Sequence, residues 1–361
     1  MRRALHIVSG DLWGGAEAQA GLILSGLTGY SWQGAVLLFN DGVVADRYRK
    51  AEIECGVLKE KGGTLSLIRQ ALTTARTINP DIIVTHGYKE AFIGACLSFF
   101  LRRPLVTQHH GATELNRGFS ACRMYCYQKL HRFISRFIAS RVVTISHALS
   151  RQLDYDDVSG LCVIHNAASV PPVELATRDS QAGISLYIIG RLVPVKNVAL
   201  AIDIIRSLTR NDVILNVVGD GPLENQLKDY AGEVRDSGKI AFRGYSSDIA
   251  GALSRADFLL ITSISEGIPT VMLEALLLGV PVVSVELPGV KEIAEMLPAE
   301  SIVFMRRDPV AAAEDLENYI AILPRLIEAA KLNREFSRRY FSSQRLAQEH
   351  CDLYDKVTGC R

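Results

Sequence analysis

Glu266 and Glu274 bracket the stretch Gly267-Ile268-Pro269-Thr270-Val271, and the apolar run Phe258-Leu259-Leu260-Ile261 precedes them. The run reads as a buried strand, Pro269 suits the first turn of a helix, and Gly279 is placed to end that helix. A glycine turn between strand and helix leaves backbone N–H groups unpaired at the positive end of a helix dipole, which makes a site for phosphate or another anion. Glu274 falls one turn beyond Thr270 on the same face, where its carboxylate can accept hydrogen bonds from a sugar joined to that phosphate. Glu266 lies in the turn itself, at the mouth of the site.

Cations suited to a diphosphate stand in a second loop of the same kind. Gly190-Arg191-Leu192-Val193-Pro194-Val195-Lys196-Asn197 follows the apolar run from Ile184 to Ile189 and precedes a helical pattern from Val198 to Leu208. Arg can grip two oxygens and Lys acts as a point charge, so the two can converge on one diphosphate; a solvated loop would carry the same charges. Gly219-Asp220-Gly221-Pro222 and Phe242-Arg243-Gly244-Tyr245 are further turns after apolar runs. In the first half of the chain, His86, the pair His109-His110 and His165 close such runs, as hydrogen-bonding fillers or as catalytic groups. Gly14-Gly15-Ala16-Glu17 forms the first strand-to-helix turn, where glycine lets a ligand approach the backbone closely or simply makes the turn tight. No GxGxxG accompanies it, which argues against a nicotinamide dinucleotide.

Ser263-x-x-Glu266-Gly267-x-Pro269 followed by Glu274-Ala275 resembles the signature of retaining nucleotide-sugar glycosyltransferases of glycosyltransferase family 4. Gly190-Arg191-Leu192 with Lys196 is similar to that family's Gly-Arg-Leu-x-x-x-Lys, with one extra spacing residue. Gly219-x-Gly221-Pro222 resembles its Gly-x-Gly-Pro segment, and Gly14-Gly15-Ala16-Glu17 its first loop. Val106-Thr107-Gln108-His109-His110-Gly111 resembles its Val-Thr-x-His-Gly, but the doubled histidine allows two alignments. Thr-x-His selects His109 and His-Gly selects His110, of which His110 is favoured.

The resemblance implies a GT-B fold, two Rossmann-like α/β domains with parallel sheets facing across a cleft. It places the nucleotide-sugar donor in the second domain and a glycan or lipid-linked acceptor in the first. Arg191 and Lys196 then stabilise the departing nucleoside diphosphate, Glu274 holds the ribose, and Glu266 contacts the transferred sugar. Gly190, Gly219, Gly221 and the run Gly267, Ile268, Pro269, Thr270, Val271 line the donor site, with Tyr245 near the base and Gly15 near the sugar. Gly14 and His86 fall on the acceptor side. The implied reaction is transfer from a UDP-sugar with retained anomeric configuration, in cell-surface polysaccharide or glycolipid synthesis such as lipopolysaccharide or capsule. No cofactor or metal is expected, since Arg, Lys and a helix terminus can neutralise the diphosphate. Two other classes fit a similar phosphate site: a sugar-nucleotide epimerase that needs no acceptor, and a non-catalytic nucleotide-sugar-binding protein without turnover.

Several elements must position these groups. Apolar runs at residues 5–8, 34–39, 81–85, 105–108, 142–145 and 162–164 alternate with helical patterns at 18–27, 64–78 and 91–101, which predicts a parallel sheet covered on both faces. Residues 184–189, 213–218, 240–242, 258–261 and 281–285 repeat the pattern. Pro171-Pro172-Val173-Glu174 reads as a stiff linker. Predicted domains are therefore 1–168 and 169–335, with a last helix, 336–361, that in the family crosses back onto the first domain.

With 361 residues, 48% of them hydrophobic and 22% charged, the chain suits two globular domains. The N-terminus reads as a first strand, not a signal peptide, and no apolar run is long enough to span a membrane. Seven cysteines without CxxC or zinc spacing suggest reduced thiols and a cytoplasmic location. Asp154-Tyr155-Asp156-Asp157 falls between elements and so offers no strand-end Asp-x-Asp metal pair. From Arg102 to Arg141 eight basic residues face one acid, Glu114. Within that stretch Phe119 to Arg141 mixes Arg123, Lys129, Arg132 and Arg136 with Met124, Tyr125, Tyr127, Leu130, Phe133, Ile134, Phe137 and Ile138. An interfacial helix at an anionic membrane, such as the inner face of the cell membrane, would show this mixture. A core helix with a solvated basic face fits it too, and nucleic acid has no role beside a sugar-phosphate site.

Overall fold

The computed structural model describes residues 1–11, 13–59, 62–111, 119–171, 173 and 183–359, with the side chains of 119–124 outside the description. Arg117, Glu114, Pro172 and Glu174 therefore lie outside the described residues, as do the side chains of Phe119, Arg123 and Met124. The chain divides into two compact units, 1–167 with 343–361, and 168–342.

In the first unit, strands β1 (Arg2–Val8), β2 (Trp32–Leu38), β3 (Glu54–Val57), β4 (Ile82–Thr85), β5 (Leu105–His109), β6 (Arg141–Thr144) and β7 (Leu161–Val163) form one parallel sheet. Its order is β3-β2-β1-β4-β5-β6-β7. Helices α1 (Gly15–Leu27), α2 (Val43–Lys50), α3 (Gly63–Ile78), α4 (Tyr88–Leu101), α5 (Phe119–Phe137) and α6 (His147–Gln152) connect them. Side chains alternate across each strand, so β1 serves two cores: Ala4 and Val8 face one, Leu5 and Ile7 the other.

The second unit repeats the plan with β8 (Ile184–Ile189), β9 (Val213–Val218), β10 (Ile240–Gly244), β11 (Phe258–Ile261), β12 (Val282–Val285) and β13 (Ile302–Met305), in the order β10-β9-β8-β11-β12-β13. A 3₁₀ turn at Pro194–Lys196 leads into α7 (Val198–Ser207), and α8 (Glu224–Asp236), α9 (Ile249–Leu253), α10 (Thr270–Leu278), α11 (Pro288–Met296), α12 (Pro309–Ala321) and α13 (Leu323–Tyr340) complete the cover.

Strand order reverses between β1 and β4 in one sheet and between β8 and β11 in the other. At such a switch the loops leaving neighbouring strands diverge to opposite faces, and a crevice opens beyond the carboxyl ends. Both candidate sites lie there.

Three sequence expectations need correction. Helix α1 starts at Gly15, not Ala18, because the Glu17 carboxylate accepts the Gly14 N–H at 3.1 Å and supports the turn. Pro269 is not in the helix; its ψ of 122° is extended, and α10 begins one residue later. The final helix is two helices, α13 and α14 (Ser343–Thr358), broken at Phe341, which is fully buried. Helix α14 packs against α1 in the first unit. There Trp32 Nε1 donates to Asp355 at 2.8 Å and Tyr354 enters the core.

Two crevices at strand ends: the candidate functional site

In the second unit, the loops after β8 and β11 are tied together. Ile264 N–H donates to Val195 O at 2.8 Å, and Thr262 Oγ1 donates to Lys196 O at 3.1 Å. These bonds bring Lys196, 70 residues away in sequence, onto Glu266, and the two side chains form an ion pair. Ser263 Oγ donates to the same carboxylate oxygen at 2.9 Å. Arg191, Lys196, Glu266, Pro269 and Val271 line a small cavity here. Arg191 is exposed and has no hydrogen-bond or ion-pair partner among the described residues.

Close backbone approach accounts for the glycines. Gly219, at φ 138°, would place a Cβ 2.0 Å from Gly190 O, and Gly221 one 2.5 Å from Leu192 O. Both glycines thus let the β9 loop seat against the loop that carries Arg191. Gly190, itself at φ 153°, lies beside the Lys196 stem. Gly267 O is met equally closely by Gly289, at the start of α11. Ile268 is buried, and Thr270 opens α10.

Glu274 sits one turn along α10 with no partner among the described residues, and burial pushes its carboxyl up to about 7. A half-hidden, unpaired carboxylate carries a desolvation cost that hydroxyl donors can offset. Tyr245 is well exposed at the end of the β10 loop. Sequence reading missed Arg307, which follows β13 and donates to Ser263 O at 3.4 Å and Glu286 O at 3.2 Å, adding a cation at the same sheet edge.

The first unit's crevice is larger, about 510 Å³, and nearly free of paired charge. His86, His109 and His110 all line it, with Glu17, Glu90 and Gln128. His109 and His110 take opposite directions, as adjacent residues at a strand end must. His109 Nε2 meets Ser135 Oγ at 3.2 Å and its ring stacks on His131 at 4.3 Å. His110 Nε2 meets His86 Nδ1 at 2.8 Å, and His86 Nε2 meets His6 Nδ1 at 2.9 Å. Burial, reinforced by neighbouring imidazoles, drives His110 and His6 down to about 3 and His86 well below its usual value, so these rings are neutral. Burial raises Glu17 and lifts Glu90 to about 7. Among the described residues, two buried ring nitrogens of the lining, His110 Nδ1 and His131 Nε2, have no partner. Gly14 caps α1 beside Glu17.

Asp154 and Asp157, set aside above as lying between elements, have a structural task. They pair with Arg132 and Arg136 of α5. The basic excess read from the sequence is to that extent neutralised. The described part of α5 buries Ile134, His131 and Ser135 and exposes Leu130, Phe133 and Phe137.

Comparison with known proteins agrees with this architecture. Residues 180–333 match the family model for glycosyl transferases group 1, and residues 14–170 that for glycosyltransferase family 4. An uncharacterised glycosyltransferase of Methanocaldococcus jannaschii is 24% identical over 59% of this chain and 58% of its own. One of the subunits of phosphatidylinositol N-acetylglucosaminyltransferase from Arabidopsis thaliana is 27% identical over 82% of this chain and 66% of its own. The chain thus spans between 58% and 66% of the length of these curated relatives. Among solved structures, Anabaena HepE in complex with UDP-glucose superposes with a TM-score of 0.81 at 21% identity, covering 99% of this chain and 100% of that one. Two all-parallel α/β units with this match have the GT-B fold, and the chain belongs to glycosyltransferase family 4.

Proposed function

We propose that the protein is a metal-independent retaining hexosyltransferase that moves a sugar from a UDP-sugar to a hydroxyl of a glycan or lipid-linked acceptor, in cell-surface polysaccharide or glycolipid synthesis. The observation that carries this is the meeting of Arg191, Lys196, Glu266 and the start of α10 at the β8–β11 switch, with the unpaired Glu274 one turn beyond. When the bond from anomeric carbon to diphosphate oxygen lengthens, negative charge grows on the diphosphate and positive charge on the sugar. Arg191, Lys196 and the free N–H groups of α10 stabilise the first, and Glu266 stands beside the second. Glu274 accepts from the ribose hydroxyls. The acceptor hydroxyl enters the first unit's crevice, where His110 supplies a neutral hydrogen-bonding group; its oxygen bonds to the anomeric carbon as the bond from that carbon to the diphosphate breaks, and its proton passes to the departing diphosphate oxygen.

UDP as the nucleotide carrier is supported by the complexes of HepE with UDP and UDP-glucose, and a lipid-linked acceptor by the phosphatidylinositol in the name of the Arabidopsis relative. The lipid reading places the enzyme in the cytoplasm, at an anionic membrane face, with α5 as the contact. Phe133 and Phe137, their rings 5.2 Å apart, and Leu130 share one exposed face of α5, and Lys129 lies over Tyr125. With Arg132 and Arg136 paired, apolar insertion carries more of the attachment than charge. No helix among the described residues is long and apolar enough to cross a membrane.

The test is thermal shift with UDP, GDP and ADP, followed by transfer from the stabilising nucleotide's sugars to lipid-linked acceptors in excess EDTA. UDP-specific stabilisation and acceptor-dependent transfer with retained configuration are expected. Conversion of the UDP-sugar without any acceptor, or abolition by EDTA with recovery on adding Mg²⁺, would overturn the reading.

A further inference from the structure

Four side chains from distant parts of the chain form one buried line in the first unit. Tyr354 Oη of α14 lies 3.0 Å from His6 Nε2 of β1, His6 Nδ1 lies 2.9 Å from His86 Nε2, and His86 Nδ1 lies 2.8 Å from His110 Nε2. The rings of His6 and His86 have centroids 5.0 Å apart and planes 27° apart; those of His86 and His110 are 5.1 Å and 20° apart. Each separation is close to the N···N distance plus the two radii from ring centre to nitrogen, as for rings joined edge to edge in nearly one plane. That is the geometry in which a ring N–H points along its neighbour's lone pair.

A neutral imidazole has one N–H and one lone pair, so the line can be polarised in only two ways. In one, Tyr354 donates to His6, His6 Nδ1–H to His86, and His86 Nδ1–H to His110 Nε2, which leaves His110 with its hydrogen on Nδ1. In the other, His110 Nε2–H donates to His86 and the sequence runs back to Tyr354 Oη as an acceptor. The second arrangement strands the tyrosine hydrogen, because Tyr354 is wholly buried and His6 is the one partner of its oxygen among the described residues. An orphaned buried hydroxyl donor biases such an equilibrium by about tenfold or more. The first arrangement leaves one hydrogen unused, at His110 Nδ1, which is buried and without a partner among the described residues, on a side chain that lines the crevice.

We propose that Tyr354 is a positioning residue that acts through His6 and His86 to hold His110 as the Nδ1–H tautomer, so that the crevice presents a hydrogen-bond donor there and selects a ligand oxygen with a lone pair to offer. His110 is then a fixed donor and not a base, since its free lone pair is already taken by His86. Giving up the Nδ1 proton would require protons to move along the line until Tyr354 became a buried phenolate, which burial opposes. The identity of that ligand as the acceptor rests on the function proposed above; the tautomer does not.

The test is tautomer measurement by two-bond ¹H–¹⁵N correlation in full-length protein labelled with ¹⁵N-histidine, with His110→Asn used to assign the His110 signals. Wild type should show His110 as Nδ1–H by about tenfold or more. Tyr354→Phe, which removes one oxygen, should shift a substantial share to Nε2–H and raise the acceptor KM about tenfold with UDP affinity unchanged. Should Tyr354→Phe not fold, His86→Leu, which has neither donor nor acceptor, cuts the line one link from His110 and should move the tautomer likewise. Wild-type His110 as Nε2–H, or a tautomer unmoved in a folded variant of either kind, would overturn the proposal. A confirmed tautomer in a protein that transfers no sugar would overturn only the proposed function.

Discussion

The two units share a doubly wound plan and place their crevices at equivalent switch points, yet they stock them differently. The second crevice holds charge: a lysine paired to a glutamate, an arginine without a partner among the described residues, and a helix start. The first holds neutral, hydrogen-bonded imidazoles at the ends of its central strands, and the arginine that lines it, Arg132, is tied to Asp154. Charge suits a partner that develops charge during reaction, and neutral donors suit hydroxyl oxygens whose charge barely changes before transfer. One fold thus supports two chemistries through the side chains that its strand ends, loops and helices bring to each crevice.

The largest effect should come from the charged side. Lys196→Ala should lower turnover by about a hundredfold to a thousandfold and also lower the melting temperature, because Glu266 is left partly buried and unpaired. Arg191→Ala should cost about a hundredfold in rate and leave the melting curve unchanged, since its side chain has no partner to lose among the described residues. Initial rates at saturating donor with parallel melts check both; indistinguishable melts would break the distinction between paired and free cation.

His110→Ala should reduce kcat/KM for the acceptor by about tenfold to a hundredfold while UDP affinity by calorimetry stays within about twofold. An equal loss of nucleotide affinity would mean that the division of labour between the units is wrong.

A smaller effect sharpens the comparison where the two crevices are chemically alike, at the raised carboxyls Glu274 and Glu90. For Glu274, folded and unfolded forms are both protonated well below pH 4.5. As pH rises from there towards about 7 the unfolded chain ionises while the buried group resists, so stability falls over that window and the loss is complete above it. Glu274→Gln should therefore melt higher than wild type at pH 8, by on the order of 2 kcal/mol at most, and equally at pH 4. The same variant should bind UDP about tenfold more weakly. A variant no more stable at pH 8 would show that the carboxylate is solvated after all.

Phe133→Ser/Phe137→Ser should change transfer to a short soluble acceptor by less than about twofold, yet sharply reduce flotation with anionic vesicles. Unchanged flotation would leave the exposed face of α5 without a membrane role.

How much of this could be read beforehand also differs between the units. The charged crevice was legible because a strand, a turn and a helix start are contiguous, so that Glu266 to Glu274 and Arg191 to Lys196 each appear as one phrase. Their pairing across 70 residues was not, since it depends on backbone bonds between loops. In the neutral crevice, His86 and the His109-His110 pair stood out at strand ends, but His6 lies inside β1 and Tyr354 inside a terminal helix, where each looks like ordinary core. Nothing local marks them as neighbours; the fold brings 6, 86, 110 and 354 together. Strand β3 escaped notice because Glu54-Cys55-Gly56-Val57 has almost no apolar pattern, whereas Ile302-Val303-Phe304-Met305 carried a signal that could have been used. The break before α14 had one too, in Ser342-Ser343, residues that favour helix starts.

The return of α14 to the first unit also bears on the order in which the molecule can be made. A chain leaving the ribosome delivers residues 1–167 first, but the surfaces of α1 and Trp32 that α14 covers stay open until residues 343–358 emerge. The second unit, continuous from 168 to 342, has every residue it needs before then. The unit that starts first is therefore the one that finishes last, and during that interval it must remain soluble with part of its core exposed and its histidine line lacking the terminal hydroxyl.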